Sequence, residues 1–271
     1  MENNWHLKVP KVLYLYWGTG ILPYIRYKTA ETFKRLNPEW DIVLYCPALP
    51  APVLTWSTKE QNYEVKCDDY FTALTKLCSA VRYVDMESFG QSNSMSEVHK
   101  SDFLRFHLLG EFGGVWSDMD IIYFRPMSDL SVNIEAFKNV DTFVCISHYG
   151  HSNGFFMSAP GSKFFKEMEL NSIKELTLGK YQSNGVNACN KYFPTIDTIP
   201  NAVNLSMDVV YAHDGQHIPD LYNGIVSRFT SRSIGCHWYA GHPLSGEFIK
   251  LTNGGINNLP NNIIGHLLDE I

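Results

Sequence analysis

One stretch of the chain decides the fold: Ser101-Asp-Phe-Leu-Arg-Phe-His-Leu-Leu-Gly-Glu-Phe-Gly-Gly-Val-Trp-Ser-Asp-Met-Asp120. A serine cap at Ser94 or Ser96 predicts a helix that runs to about Glu111 and is ended by Gly113-Gly114. The helix is apolar on nearly all sides, which predicts that it is buried. A short apolar run then predicts a strand that ends in two aspartates.

The predicted helix carries two opposite charges. Asp102 and Arg105 are three residues apart and therefore share one face of it. Buried charges must be paired or bound to a ligand, because leaving them dry costs several kcal/mol. Two interpretations follow: the residues form a structural ion pair, or they line a polar cleft and contact a ligand rich in hydroxyl groups.

Two further carboxylates follow the strand Val115–Ser117. On an extended segment Asp118 and Asp120 point the same way, with Met119 turned opposite. They repel each other unless a cation lies between them, and oxygen ligands suit Mg²⁺ or Mn²⁺. Such an ion would bridge to a diphosphate and neutralise a leaving group.

Outward from this stretch, strands and helices alternate. Periodicity predicts strands at Val12–Tyr16, Asp41–Tyr45 and Val81–Val84, with helices at Pro23–Leu36 and Cys67–Leu77 and a loop from Ala48 to Lys66. This order is typical of an α/β fold with a parallel sheet and a nucleotide-binding crevice at the strand ends. Further on, the pattern predicts strands at Thr142–Ile146 and Phe155–Ser158 and a helix at Ser162–Leu178.

Composition excludes several classes of protein. With 22 Lys plus Arg against 28 Asp plus Glu, the net charge is −6, which disfavours general nucleic-acid binding. The six cysteines are scattered without a C-x-x-C spacing, so we expect reduced core residues in a cytoplasmic protein. No apolar run approaches about 18 residues, so no membrane span is expected and any membrane association would be peripheral.

The stretch resembles the glycosyltransferase family named for its sugar-binding region containing a DXD motif. The shared pattern is Ser-Asp, two residues, Arg, then Gly-Gly, a short strand and Asp-x-Asp. All of it is present, as Ser101-Asp102, Arg105, Gly113-Gly114 and Asp118-Met-Asp120. Two more segments resemble the first and second strands of the family: Val9-Pro-Lys-Val-Leu-Tyr-Leu-Tyr-Trp17-Gly and Asn37-Pro-Glu-Trp-Asp-Ile-Val-Leu-Tyr45. Yeast-type initiating α-1,6-mannosyltransferases and capsular enzymes share the pattern, and the glucosyltransferase domains of large clostridial toxins are similar.

The resemblance implies a single GT-A domain over 1–271, in which a Rossmann-like nucleotide-sugar half (about 1–125) and an acceptor half (about 126–271) share a mixed central sheet. It implies roles for individual residues as well. Trp17, with Gly18 beside it, would stack on or border the nucleotide base. Asp102 and Arg105 would hold donor-sugar hydroxyls as the catalytic pair, and Asp118 and Asp120 would serve the metal and the diphosphate.

The second half matches the family pattern more loosely. Tyr181-Gln-Ser-Asn-Gly185 stands where the family often has Thr-Gly-Pro. Cys236-His-Trp-Tyr-Ala-Gly-His242 resembles the C-terminal His-Trp segment of the family, so His237, or His242 as the alternative, would complete the metal site. His148, His151 and Asn153 follow a predicted strand and either face the acceptor or belong to a plain loop.

These features predict a retaining glycosyltransferase that depends on Mn²⁺ or Mg²⁺. It would transfer a sugar from a UDP-sugar, with GDP-mannose as the other candidate, to a hydroxyl of a glycan, as in polysaccharide biosynthesis. The alternatives are a catalytically silent sugar-nucleotide or glycan-binding protein, and transfer to a protein, lipid or nucleobase. An oxidoreductase is excluded, because Pro23 replaces the third glycine of a dinucleotide loop after Gly18-Thr-Gly20.

Overall fold

The computed structural model describes residues 8–51, 68–130, 139–251 and 259–270. Its strands are β1 Val12–Tyr16, β2 Asp41–Pro47, β3 Ala80–Val84, β4 Gly114–Ser117, β5 Ile121–Tyr123, β6 Thr142–Ser147, β7 Gly150–Ser158, β8 Ala202–Asn204 and β9 Gly235–His237. Its α-helices are α1 Tyr24–Leu36, α2 Phe71–Leu77, α3 Glu97–Glu111, α4 Lys163–Glu175, α5 Val186–Tyr192, α6 Ile218–Asn223, α7 Pro243–Leu251 and α8 Ile263–Glu270. Of the predicted loop from Ala48 to Lys66, residues 52–66 lie outside the described part of the chain, as does Cys67 at the start of the predicted second helix.

The first half of the chain forms the parallel part of the main sheet. Strand β1 pairs in parallel with β2 on one side and with β4 on the other, and β3 continues the sheet beyond β2. The strands are short and apolar, and the β1 residues Leu13 and Leu15 are fully buried. Helices connect these strands, as parallel pairing requires. The predicted Rossmann-like half is therefore present.

The second half of the chain makes the sheet mixed. The order of the seven-stranded sheet is β3-β2-β1-β4-β7-β6-β8, and β7 runs antiparallel to both β4 and β6. The purely parallel order thus ends at β4. The α/β fold with a mixed central sheet, as expected from the sequence, is confirmed.

A second, two-stranded sheet stands beside the main one. It pairs β5 with β9, so that Ile121 lies opposite His237. The chain leaves the main sheet at Ser117 and turns through Asp118–Asp120 before it enters β5. The prediction that this segment is extended was wrong, because the chain has to pass from one sheet to the other within three residues.

Helix α3 packs as its composition predicts. Its residues Phe103, Leu104, Phe106 and Leu109 are buried in a cluster with β4, β7 and α4. The helix begins after Ser96, whose hydroxyl accepts a hydrogen bond from the His99 backbone N–H at 3.2 Å. This packing fixes the one polar face of the helix, which carries Asp102 and Arg105.

Two further expectations concern the whole chain. Among the described cysteines, those that form no disulfide are Cys46, Cys78, Cys145, Cys189 and Cys236. No helix in the described ranges is long and apolar enough to cross a bilayer.

Candidate functional site

A cleft of about 630 Å³ opens at the carboxyl ends of β1 and β4. Trp17 follows β1 directly and Asp118 follows β4, and both line the cleft. The crevice beyond the carboxyl ends of parallel strands is where α/β sheets bind ligands. The remaining walls come from α3, the start of β7, the loop before α5 and the segment after β9.

Arg105 joins Asp102 to the pair of aspartates that follows β4. Its guanidinium lies 3.1 Å from Asp102 Oδ1 and 3.3 Å from Asp118 Oδ1, and it donates to the backbone oxygen of Asn153 at 2.5 Å. Arg105 and Asp102 are both buried, and both line the cleft. The two interpretations of this pair therefore do not exclude each other: it is an ion pair, and it also forms part of the cleft wall.

The Asp102 carboxylate is constrained from several sides. Burial raises its pKa to about 6, with Asp118 adding to the shift and Arg105 opposing it. Its Oδ2 atom has no hydrogen-bond partner among the described residues. The backbone of Gly185 lies so close that any Cβ there would overlap the carboxylate. One oxygen of Asp102 is thus paired, and the other is packed against Gly185 without a hydrogen-bond partner among the described residues.

Asn153 presents a second polar group to this part of the cleft. Its side chain is 6% exposed, and neither its oxygen nor its nitrogen makes a conventional hydrogen bond within the described chain. The Cys189 thiol beside it is a weak partner at most. A buried amide with both functions unmet is costly unless a ligand supplies a donor and an acceptor, as a sugar hydroxyl does.

Asp118, Asp120 and His237 form a cluster on the other side of Arg105. One potential ligand atom from each lies within 4.8 Å of the others. Asp118 Oδ1 accepts from the Trp116 indole N–H at 2.9 Å, and Asp120 Oδ2 accepts from the Ala240 backbone N–H at 3.0 Å. These contacts hold both carboxylates in place beside His237.

Electrostatics keeps Asp120 ionised although it is only 7% exposed. Burial alone would raise the pKa of Asp120, but His237 and Arg26 outweigh burial and hold it below its usual range. His237 Nε2 lies 3.1 Å from Asp120 Oδ1, while its Nδ1 accepts from the Tyr239 backbone N–H at 3.3 Å. In the neutral ring the proton is therefore on Nε2, and a cation bound there would replace it.

The donor set fits a divalent cation. Two carboxylates suit Mn²⁺ or Mg²⁺, and an imidazole as third ligand is common for first-row metals. His242 lines the same cleft, but its Nδ1 accepts a hydrogen bond from the Leu244 backbone N–H at 3.3 Å, and its ring stacks on Tyr222. Of the two histidines considered from the sequence, His237 is the one that lies with the aspartates.

The far end of the cleft is lined by Trp17 and Gly18. The Arg26 guanidinium lies 5.4 Å from the Trp17 ring and 5.5 Å from the Trp238 ring, within cation–π distance of both. Gly18 packs directly on Glu97: a Cβ at position 18 would lie 2.7 Å from the Glu97 Cβ. The first loop is thereby fixed against α3.

Sequence reasoning missed several residues that line the cleft. Arg26, Glu97, Gly154 and Tyr211 belong to none of the motifs, yet all of them line the cleft. Tyr239 lines it too; it lies inside the Cys236–His242 segment but was given no role. Only the positive charge of Arg26 in the first turn of α1, which lacks an acidic residue, stands out in the sequence. Tyr211 and Tyr239 look like ordinary core aromatic residues.

Of the residues considered for the acceptor side, some line the cleft and others do not. Tyr181 and Gln182 line the cleft, and so do His151 and Asn153. The His151 Nε2, however, bonds to the Phe193 carbonyl oxygen at 2.7 Å, so that ring is tied into the fold. His148 is exposed at the β6–β7 turn, where its ring lies at a tilt against Tyr149.

Comparison with known structures gives remote similarities. The galactosyltransferase LgtC in complex with donor and acceptor sugar analogs is 12% identical, with a TM-score of 0.46 over 86% of this chain and 87% of that one. The PaToxG glycosyltransferase is 12% identical, with a TM-score of 0.47 over 70% and 72% of the two chains. The glycosyltransferase GlyE of Streptococcus pneumoniae TIGR4 is 11% identical, with a TM-score of 0.47 over 85% and 54%. Similarities at this level identify no substrate.

The family comparison is more specific. No curated protein matches the sequence. Residues 27–140 match the family model described as glycosyltransferase sugar-binding region containing DXD motif. The match includes Asp102, Arg105, Asp118 and Asp120, whereas Trp17 and His237 lie outside it. The resemblance seen in the motifs is confirmed: this region of the chain matches the family of glycosyltransferase sugar-binding regions that contain a DXD motif.

Proposed function

We propose that this glycosyltransferase moves a sugar from a nucleoside-diphosphate donor to an acceptor hydroxyl and depends on a divalent cation. The observation that carries the proposal is the position of Arg105, between Asp102 at 3.1 Å and Asp118 at 3.3 Å. Through Arg105, a group of unsatisfied polar side chains adjoins a cluster that fits a cation. A nucleotide sugar carries its functional groups in the same order along its length: the hydroxyls of the sugar come first and the phosphates follow.

The sugar is proposed to lie against Asp102, Arg105 and Asn153. Asp102 Oδ2 and the Asn153 carboxamide are buried polar groups without strong partners in the described chain. Ring hydroxyls both donate and accept, so they would satisfy a carboxylate and an amide together. Recognition of this kind rejects ligands that lack the hydroxyl, because the buried groups are then left unpaired.

The diphosphate is proposed to lie at Asp118, Asp120 and His237. These residues would hold Mn²⁺ or Mg²⁺, which when bound neutralises phosphate charge. Trp17 and Gly18 would border the base, and Arg26 adds a positive charge on that side of the cleft.

Donor, stereochemistry and acceptor are proposed from the family resemblance. We favour a UDP-sugar over GDP-mannose, retention of the anomeric configuration, and a glycan hydroxyl as acceptor. The cleft walls at Tyr181 and Gln182 would face that acceptor. We further propose that residues 1–271 act as one domain and that the protein works in the cytoplasm.

Donor hydrolysis tests the proposal most cheaply. The protein would be incubated with a panel of UDP- and GDP-sugars, with Mn²⁺, with Mg²⁺ and with EDTA. Release of nucleoside diphosphate that requires the cation is expected from one donor. Binding of a donor without hydrolysis or transfer would favour a silent binding protein, and the absence of both turnover and thermal shift with every nucleotide would refute the proposal. Nuclear magnetic resonance of the product would show whether the configuration is retained.

A further inference from the structure

Tyr211 places a buried hydroxyl beside the cation-binding cluster. The residue is 3% exposed, and it lines the cleft. Its hydroxyl makes no hydrogen bond with any described residue. A buried hydroxyl is normally bonded, and one that is not calls for an explanation such as a missing ligand.

The position of the hydroxyl is defined by Gly154 on β7. A Cβ built at Gly154 would lie 3.0 Å from Tyr211 Oη, 3.1 Å from Asp118 Oδ2 and 3.2 Å from His237 Nε2. The tyrosine hydroxyl thus faces the same small volume as two of the three proposed cation ligands. The Tyr211 and His237 rings lie side by side, with centroids 5.2 Å apart.

The three groups around this volume differ in what they can offer. Asp118 is an acceptor only, and His237 Nε2 has no proton to donate when it holds a cation. Of these three groups, Tyr211 is then the one that supplies a hydrogen-bond donor. A donor beside a bound cation suits an anionic oxygen shared with that cation, which in a nucleotide sugar is a phosphate oxygen.

The sugar side of the cleft decides which phosphate is involved. Arg105 contacts Asp118 on the cluster side and Asp102 on the sugar side. A phosphate that lies between the cation-binding cluster and the proposed sugar-binding residues is therefore the one that carries the sugar. We infer that Tyr211 is a further catalytic residue, whose hydroxyl donates a hydrogen bond to the distal phosphate oxygen that leaves the sugar. This inference rests on the proposed function.

In the proposed transfer, the bond between the anomeric carbon and this phosphate oxygen breaks, and the electron pair stays on the oxygen. The acceptor hydroxyl oxygen bonds to the anomeric carbon, and its proton passes to the departing phosphate. The leaving oxygen is an ester oxygen in the donor and an anionic oxygen in the product. A hydrogen bond to it is therefore stronger in the transition state and in the product than in the donor complex.

The test is Tyr211→Phe, which removes the hydroxyl and keeps the ring. We expect kcat to fall about ten- to hundredfold, as when one donor to a developing anion is lost. The donor KM should stay within about threefold. The affinity for bare nucleoside diphosphate with Mn²⁺, measured by calorimetry, should fall about tenfold. The melting temperature should not fall, because the hydroxyl makes no hydrogen bond in the described chain.

Tyr123→Phe is the matched control. That side chain is also fully buried, but its hydroxyl donates to Ser117 Oγ at 2.8 Å. The control variant should melt at a lower temperature and keep its rate per folded molecule.

Three results would overturn the inference. The first is an unchanged kcat and an unchanged diphosphate affinity in Tyr211→Phe. The second is a lower melting temperature with a normal rate per folded molecule, which means a structural role. The third is a rate loss that excess Mn²⁺ restores, which means that Tyr211 acts through Asp118. A wild-type protein that neither binds nor turns over any donor would instead refute the proposed function.

Discussion

At the scale of single residues, Arg105 decides how the site is organised. It is buried, and it touches Asp102 on one side and Asp118 on the other. Removing Asp102 would still leave it paired with Asp118. A protein is strongly destabilised when a buried charge loses its only partner. That cost should be reduced here, because Asp118 remains as a second partner.

The first prediction concerns Asp102→Ala. We expect a loss of roughly 2–4 kcal/mol of transition-state stabilisation, with the affinity for bare nucleoside diphosphate nearly unchanged. Single-turnover rates, calorimetry and thermal melts would be measured on the same preparation. Glu169→Gln is the control. Glu169 on α4 pairs at 3.0 Å with His107, which is on α3 like Asp102, and Glu169 does not line the cleft. A variant destabilised by about 3–5 kcal/mol that keeps its rate per folded molecule would show that Asp102 is structural only.

The second prediction uses Gly154→Ala. The added methyl group would stand 3.0–3.2 Å from Tyr211 Oη, Asp118 Oδ2 and His237 Nε2, inside the proposed cation site. The backbone there is not left-handed, so the alanine itself is not strained. We expect Mn²⁺-dependent diphosphate binding to weaken at least about tenfold with little change in melting temperature. Unimpaired binding would place the cation elsewhere.

At the scale of elements, the sequence predicts the helices and strands that local signals define, but it does not predict pairing between strands that are far apart in the chain. Strand β4 and helix α3 were predicted within one or two residues, because an apolar run, a serine cap and a Gly-Gly stop are read along the chain. The turn at Asp118–Asp120 was missed, because it follows from the pairing of β5 with β9, a strand that is distant in sequence and belongs to a separate sheet. His237 stayed one of two candidates for the same reason, and its place opposite Ile121 became visible only in the structure.

The third prediction concerns the cap of α3. Ser96→Ala removes the acceptor of the His99 N–H and should cost about 1 kcal/mol of stability. The rate per folded molecule should not change, since packing against β4, β7 and α4 still holds the polar face of α3. Chemical denaturation and kcat would be compared with Ser162→Ala, which removes the corresponding cap of α4. A large loss of rate without a loss of stability would mean that Ser96 has a role in the site.

At the scale of the whole molecule, the site is assembled from both halves of the chain. The family match covers 27–140 and supplies the motif residues, while Asn153, Tyr211 and His237 come from beyond it. The motifs therefore allowed the fold and the DXD carboxylates to be predicted. They could not reveal Tyr211 and Tyr239. Both lie beside the cluster because the His237 backbone N–H at the end of β9 donates to the Val210 carbonyl oxygen at 2.7 Å, which brings the two segments together.

The fourth prediction concerns stability against pH. Burial lowers the pKa of four histidines below the ordinary value of 6.5: His99, His151, His213 and His242. Below about pH 6.5 the unfolded chain then binds more protons than the folded one, and stability falls. Each histidine contributes at most about 1.4 kcal/mol per pH unit.

Asp102 acts in the opposite direction, because its raised pKa of about 6 lets the folded state bind a proton first. With four histidines against one aspartate, we expect a lower melting temperature at pH 5 than at pH 7. The melts would be recorded at constant ionic strength with EDTA, so that cation binding plays no part. A melting temperature that is equal or higher at pH 5 would contradict the burial of these imidazoles.

The central claim is that Asp118, Asp120 and His237 form a cation-dependent site for a nucleoside diphosphate. Calorimetric titration of UDP and GDP into the wild-type protein and Asp118→Ala, each with Mn²⁺ and with EDTA, tests it most directly. We predict that UDP binds only with Mn²⁺, at least about tenfold (1.4 kcal/mol) more tightly than GDP, and that Asp118→Ala abolishes this binding. Equal UDP affinity in EDTA, or unchanged affinity in Asp118→Ala, would contradict the claim.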